Sequence, residues 1–316
     1  MKKILLLIIT LTSLNAISQD INIPDVNFKL YLLNNPYLNT NNDKEIQLSE
    51  ATSYSGEINC GYISNQGYDL IKDLTGIEYF ISLTSLRCHN NRLTKLDLSH
   101  NIALSKLNCD KNKLTELDLS QNLNLTVLHC GSNRLNVLNL SHNKALTTLG
   151  CDNNKIATLD LSSSLNLINL YCHNNQLSTL NIAGNKNLEY INCSKNKISA
   201  INLSHHQNLK TLECDINQLI SLNTSNCTDL VSLRCTKNQL KSLDISQNTS
   251  LLFILCDKNQ LTYLNVANGN NYNFKDWGFS AKNNPDLACI QVDDKKYSKL
   301  NWQQKDTQAN YSRRCK

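Results

Sequence analysis

The sequence predicts a solenoid of short stacked repeats, mostly β in character, and three observations predict it. Cys88, Cys109, Cys130, Cys151, Cys172, Cys193, Cys214, Cys235 and Cys256 recur every 21 residues without a slip, and a fixed period of roughly 20 to 50 residues marks a repeat architecture. Among 316 residues 54 are Leu and 49 are Asn, a skew that one phrase written many times produces. Gly and Pro number only 9 and 3, far below the roughly 12% of an average chain, which excludes collagen-like, linker-rich and disordered classes. With 41% hydrophobic residues but one Met, two Trp and five Phe, the core must be aliphatic and regular.

Residues 1–18 read as an export signal. Lys2 and Lys3 precede an apolar run from Ile4 to Leu14, and the small residues Ala16 and Ser18 stand at the −3 and −1 positions of a cut before Gln19. The run is too short to span a bilayer, nothing near 20 apolar residues follows, and no Cys stands at the cut to accept lipid. The mature chain is therefore expected outside the cytoplasm, whether secreted, periplasmic or at the cell surface, with no transmembrane segment. Removing Lys2 and Lys3 leaves 29 basic residues against 26 acidic ones. That weak basicity argues against a nucleic-acid partner.

Residues 19–57 are expected to form an N-terminal cap, because a solenoid that ended bare would expose its apolar columns and an open strand edge. Pro24 and Asp25 give a helix start, and Val26, Phe28, Leu30, Tyr31 and Leu33 follow at helical spacing. Next, Asn39, Asn41, Asp43, Glu45, Gln47 and Glu50 occupy positions 1, 3, 5, 7, 9 and 12 of an EF-hand-like loop. Calcium needs such oxygens, with Glu50 as the bidentate acid. Lys44 replaces the glycine of the sharp turn, however, and Asn39 and Asn41 are neutral where acids bind more tightly. A weak calcium site on Asn39, Asn41, Asp43, Glu45 and Glu50 and a solvated turn between two cap helices both remain open; no other cofactor is expected.

From about residue 86 nine units repeat the form LxCxxNxLxxLDLSxNxxLxx, most cleanly in Leu107, Cys109, Asn112, Leu114, Leu117, Asp118, Leu119, Ser120, Asn122 and Leu125. The unit is double, since LxxLxCxxNx and LxxLDLSxNxx are variants of one phrase. In the first half Leu107 and Cys109 point inward from a short strand, and Lys106, Asn108 and Asp110 outward. Asn then ends the strand, and its donor and acceptor can satisfy backbone groups that the turn leaves buried. Its first-half column is unbroken from Asn91 to Asn259, whereas the second-half column admits Ser164, His206, Cys227 and Gly269.

These residues resemble the leucine-rich repeat proteins, specifically the bacterial subclass with nested 10- and 11-residue units called IRREKO repeats, over roughly Ile58 to Tyr272. The resemblance implies an α/β-type, mostly β solenoid: a curved right-handed superhelix with a parallel sheet on one side and short strands or extended turns on the other. It implies an interaction scaffold rather than a chemistry. The loop ending at Glu50 resembles the EF-hand-like caps of internalin-type proteins. Ile58 and Cys60 repeat the phrase once, 28 residues before Cys88, so one irregular coil is expected ahead of the regular nine. The solenoid is expected over 58–272. After Tyr272 the period fails, and residues 273–316, with Trp277 and Trp302, read as an irregular C-terminal cap.

The cysteine ladder admits disulfides, a metal array or plain apolar packing. Coils stack about 4.8 Å apart, and parallel in-register side chains hold their Cβ atoms about as far apart, beyond the ~3.5–4.5 Å of a disulfide. Zinc wants converging ligands, not a line of single thiols. Buried Cys acts as a small hydrophobe, and the ladder is read that way, with Cys60 and Cys227 on its columns. Cys289 and Cys315 lie outside the period in an exported chain and are expected to form a disulfide. His89 and His173 share a column four coils apart, so they cannot share a metal; His100, His142, His205 and His206 are read as surface residues. No GxSxG, HExxH or P-loop is present, and no enzyme activity is expected.

The two outward faces differ. In the second half one column runs Asp97, Asp118, Asn139, Asp160, Asn181, Asn202, Asn223, Asp244 and Asn265, monotonous and turn-supporting. In the first half the outward residues vary. Arg87, His89, His129, Tyr171, His173, Tyr190, Glu213, Arg234 and Phe253 are the candidate ligand-binding residues, aromatic and Arg side chains being the usual anchors of interfaces. The expected function is adhesion to, or recognition of, a protein or glycan by a monomer. The alternatives are an envelope spacer without a ligand and, remotely, an enzyme with a cryptic site.

Overall fold

The structure is a computed structural model that describes residues 19–62, 69–274 and 277–315; the expected export signal lies outside them. Asp25 caps the first helix, α1 (Val26–Leu33), its carboxylate accepting the N–H groups of Asn27 and Phe28 at 2.9 and 3.1 Å. Phe28 and Leu32 are fully buried, which places the apolar side of α1 over the first coil. A second helix, α2 (Leu48–Ser53), follows.

Eleven three-residue or shorter strands then form one parallel sheet: Glu57–Asn59 (β1), Ser85–Arg87 (β2), Lys106–Asn108 (β3), Val127–His129 (β4), Thr148–Gly150 (β5), Asn169–Tyr171 (β6), Tyr190–Asn192 (β7), Thr211–Glu213 (β8), Ser232–Arg234 (β9), Phe253–Leu255 (β11) and Phe279–Ser280 (β13). The register is the sequence period, Leu86 facing Leu107, Leu107 facing Leu128 and so on. On the other side the coils run as extended turns until Ser242–Asp244 (β10), Tyr263–Asn265 (β12), Cys289–Gln291 (β14) and Asn310–Ser312 (β15) pair as a four-stranded parallel sheet. Between the two sides lie the Leu, Ile and Cys columns, nearly all fully buried.

The Asn column explains why the first turn is strict. Asn154 donates Nδ2 to Cys151 O of its own coil at 3.1 Å and to Cys130 O of the preceding coil at 3.0 Å, and its Oδ1 accepts Leu135 N–H at 2.9 Å. Each Asn of this column repeats the pattern, so both ends of every amide bind coil to coil. In the second column Asn122 donates to Leu98 O and Asn101 O, but its Oδ1 has no partner. The same holds at Asn101 and Asn143, while Asn248 Oδ1 accepts the Thr224 hydroxyl at 2.7 Å; with no strict use for the oxygen, a Ser, a Cys or even His206 is tolerated. His206 is fully buried, which corrects its expected surface position, and burial pushes its imidazole below the ordinary range. At the last site of this column Asn268, not Gly269, is the buried donor, to Asn248 O at 2.8 Å.

Each first turn passes through a left-handed residue, φ lying between 53° and 59° from Asn90 through Lys258 to Asn283. Asn accepts this conformation readily; Ile216, at φ 56°, is β-branched and strained there.

The solenoid does not end at Tyr272. Phe279, Ala281 and Asn284 restate the phrase with Ala for Cys: β13 pairs with β11, and Asn284 donates to Cys256 O and Ala281 O. Leu287, Ile290 and Val292 then complete a coil that closes the second side. The cap proper is α3 (Lys295–Asn301), β15 and a core in which Trp302 stacks on Phe279 at 4.6 Å and its backbone carbonyl accepts the Tyr311 hydroxyl. Cys289 and Cys315 are joined by a disulfide, Cα to Cα 5.8 Å, which ties β14 to the chain that follows the edge strand β15. Closing a loop of 26 residues stabilises this end by about 3 kcal/mol on the chain-entropy account.

Candidate functional site

The eleven-stranded sheet presents its outward residues in straight columns, one residue per coil, because successive side chains of a strand alternate faces and the register never shifts. The structure divides the nine sequence candidates into two groups. From β6 to the last coil the side chains form two contact groups that meet at the Glu213–Arg234 strand pair. Tyr171 and Tyr190 pack ring to ring at 4.7 Å. The Tyr190 hydroxyl donates to Glu213 at 3.2 Å, and Asn192 Nδ2 donates to the other Glu213 oxygen at 2.8 Å. Arg234 donates Nε to Asp215 at 3.1 Å and lies over the Phe253 ring at 5.9 Å. Phe253 in turn packs on Trp277 at 5.5 Å, a tryptophan 71% exposed.

Burial and the neighbouring Glu213 carboxylate push the Tyr190 phenol up to about 12, so it stays a hydrogen-bond donor. The stripe thus offers ring faces at both ends and a fixed donor–acceptor set between them, on backbone held rigid by the Asn column.

Arg87, His89, His129 and His173 do not join that network. Arg87 Nε lies 3.4 Å from Glu57. His89 lies against Gly61, and His129 over Gly150, where a Cβ would stand 2.6 Å from its Nδ1. His173 Nε2 is 3.6 Å from Asp152. Gly150 leaves β5 without a side chain at the point where the two groups would meet.

Three members of the stripe were not singled out in the sequence. Trp277 reads in sequence as a cap residue, yet through Phe253 it extends the outward face. Asn192 shares the column of Tyr171, Glu213 and Arg234 but is a small amide there, and Asp215 shares the column of His89 and His173. Asp110, Asp215 and Asp257 stand in that second column, and each carboxylate accepts the N–H one coil on, from Gly131, Thr236 and Lys282 at 2.5–2.6 Å. The monotonous second-half column is turn chemistry throughout, Asp118 accepting Ser120 N–H at 2.9 Å and Asn139 accepting Ser141 N–H at 3.0 Å.

In the EF-hand-like loop the acceptors already have donors. Glu50 accepts N–H groups from Thr40 and Gln47 at 2.7 and 3.0 Å, Asp43 accepts from Glu45 N and Gln47 Nε2, Asn39 and Asn41 accept Asp43 N–H, and Glu45 pairs with Lys29. The described geometry is that of a hydrogen-bonded turn between two helices. The ladder thiols are fully buried and free, and desolvation raises them, Cys60, Cys151 and Cys193 to about 12. They are packing, not nucleophiles.

Solved structures place this architecture. The functional domain of InlJ from Listeria monocytogenes, which includes a cysteine ladder, is similar at 25% identity over 87% of this chain and 75% of that one, with a TM-score of 0.56. An internalin, InlF, of Listeria monocytogenes superposes over 95% of this chain and 94% of its own, TM-score 0.67, at 18% identity. This chain has the leucine-rich repeat fold. A leucine-rich repeat protein of Leptospira interrogans is similar over 75% of this chain and 69% of its own, at 22% identity and a TM-score of 0.61. No protein-family model matches the sequence, and no curated protein does. Among the described residues of the leucine-rich repeat chain, no helix is long and apolar enough to cross a membrane.

Proposed function

We propose that this leucine-rich repeat chain is an exported recognition or adhesion protein that binds a protein or glycan partner through the outward face of its LxCxxN strands, as a monomer and without catalysis. The observation that carries the reading is the stripe from Tyr171 to Trp277, in which two groups of touching side chains, Tyr171 with Tyr190, Glu213 and Asn192, and Asp215 with Arg234, Phe253 and Trp277, stand side by side on one sheet. Aromatic and Arg side chains held in place before binding lose little entropy on association, which is what makes anchors of them. The Leu and Asn repeats set the scaffold, and the variable columns set what it holds.

A glycan array and a pull-down from surface-protein extract, both with residues 19–316, test this. Saturable binding of one partner class that is lost on replacing Tyr190 and Arg234 supports it. Uniformly weak signals across both, unchanged by those replacements, favour the spacer.

A further inference from the structure

Along the edge where the first-half strands end, one outward column carries Arg92, Lys113, Arg134 and Lys155 in four consecutive coils, with Lys111 in the adjoining column and Lys197 resuming the first. All six are exposed. At about 4.8 Å per coil, the four consecutive cations form a straight rail about 14 Å long. Like charges directly opposite one another on neighbouring strands are unfavourable. Among the described residues none of the six forms an ion pair.

The acids of the column next to that of Lys111 hold other partners, although Lys111 acts on the Asp110 charge. Asp110 turns its carboxylate to the Gly131 N–H, and burial raises its pKa; Asp152 accepts the Asn153 side-chain amide. On the other flank the same coils carry Glu116 and, further round, Asp97, Asp118 and Asp160, whose carboxylates accept the N–H groups of Ser99, Ser120 and Ser162. A row of unpaired, evenly spaced cations on a rigid edge is complementary to an extended polyanion. Ser132 follows Lys111 in its column and offers a hydroxyl of the kind that meets sugar hydroxyls.

We infer that this edge docks an extended acidic polysaccharide, its carboxylates or sulfates along the rail. The site is separate from the Tyr171 to Trp277 stripe and does not depend on it. A nucleic acid fits less well. Single strands are held by aromatic stacking platforms, and neither rail column nor its neighbour, Thr94, Thr115, Asn136 and Ala157, supplies a ring in these coils.

The test uses residues 19–316 with polygalacturonate as probe, neutral dextran and a single-stranded RNA oligonucleotide as the other arms, at several salt concentrations. The expected result is salt-sensitive binding of polygalacturonate and none of dextran. A quadruple change, R92Q, K113Q, R134Q and K155Q, should weaken it at least about tenfold and lower the slope of log affinity against log salt by about 3, at about 0.7 per lost contact. The matched control K144Q, K186Q, K296Q and K299Q removes the same charge elsewhere and should change it little; thermal unfolding of both variants shows that they fold. The inference is overturned if the control weakens binding as much as the rail variant, if RNA binds more tightly than polygalacturonate, or if polygalacturonate does not bind at low salt.

Discussion

Asn154 joins its own coil to the preceding one through Cys130, its Nδ2 donating to the Cys130 carbonyl at 3.0 Å while its Oδ1 receives an N–H from Leu135. Repeated in every coil, that relationship turns a stack of three-residue strands into one rigid body. Asn154→Ala strips the Cys130, Cys151 and Asp152 carbonyls and the Leu135 N–H of a side-chain partner and should destabilise by about 3 kcal/mol, whereas Asn122→Ala, with a half-used amide, should cost about 1–2 kcal/mol. Denaturant midpoints of the two variants check the order; equal losses would show that the two turns are equivalent.

The thiols set the alkaline limit of stability. Burial raises their pKa above the ordinary 9.0. A raised thiol pKa means that the folded state keeps a proton the unfolded chain gives up, so this stabilisation is complete below about pH 9 and is lost as pH climbs toward 12 and beyond. Unfolding by alkali should be steep, releasing several protons per chain, and Cys172→Ala should make it shallower. Thiol titration of denatured, unreduced protein should find 11 free groups, the number left after the Cys289–Cys315 bridge.

Ile216 is the one β-branched residue in the left-handed column. Ile216→Asn keeps the turn, removes an exposed apolar side chain and should stabilise by about 0.5–1 kcal/mol. A lower melting temperature would mean that Ile216 packs usefully where it stands.

With the cap-loop carboxylates occupied by N–H donors, melting temperatures in excess calcium and in chelator should coincide, and Glu50→Gln should lower both equally by weakening the hydrogen bonds at Thr40 and Gln47. A rise confined to calcium, absent in Glu50→Gln, would restore the metal reading.

How far this was legible follows from what each column must do. A Cys that fits only a small apolar slot recurs faithfully, so the period, the strands and the inward faces could be read directly. Where Ala281 fills the same slot after 25 residues instead of 21, the period breaks and the next coil reads in sequence as cap, although Phe279 and Asn284 keep their places. His206 misled because its column tolerates any group that fits a turn with an unused acceptor. On the binding face the variable columns were visible, but contacts between coils were not: Phe253 and Trp277 meet across an irregular coil, and Arg234 chooses Asp215 from a column whose regular task is backbone support.

The central claim, that the Tyr171 to Trp277 stripe is the binding face, is tested most directly by affinities of single Ala variants at Tyr171, Tyr190, Arg234 and Trp277 for the partner captured by residues 19–316. Lys186→Ala and Gln207→Ala on the second-half side serve as controls. Each stripe variant should unfold within about 1 kcal/mol of the parent, and at least one should lose about 1–2 kcal/mol of binding, a five- to thirtyfold weaker Kd, with the controls unchanged. Binding that survives all four changes but falls in Lys186→Ala or Gln207→Ala would place the partner on the opposite side of the solenoid and contradict the account.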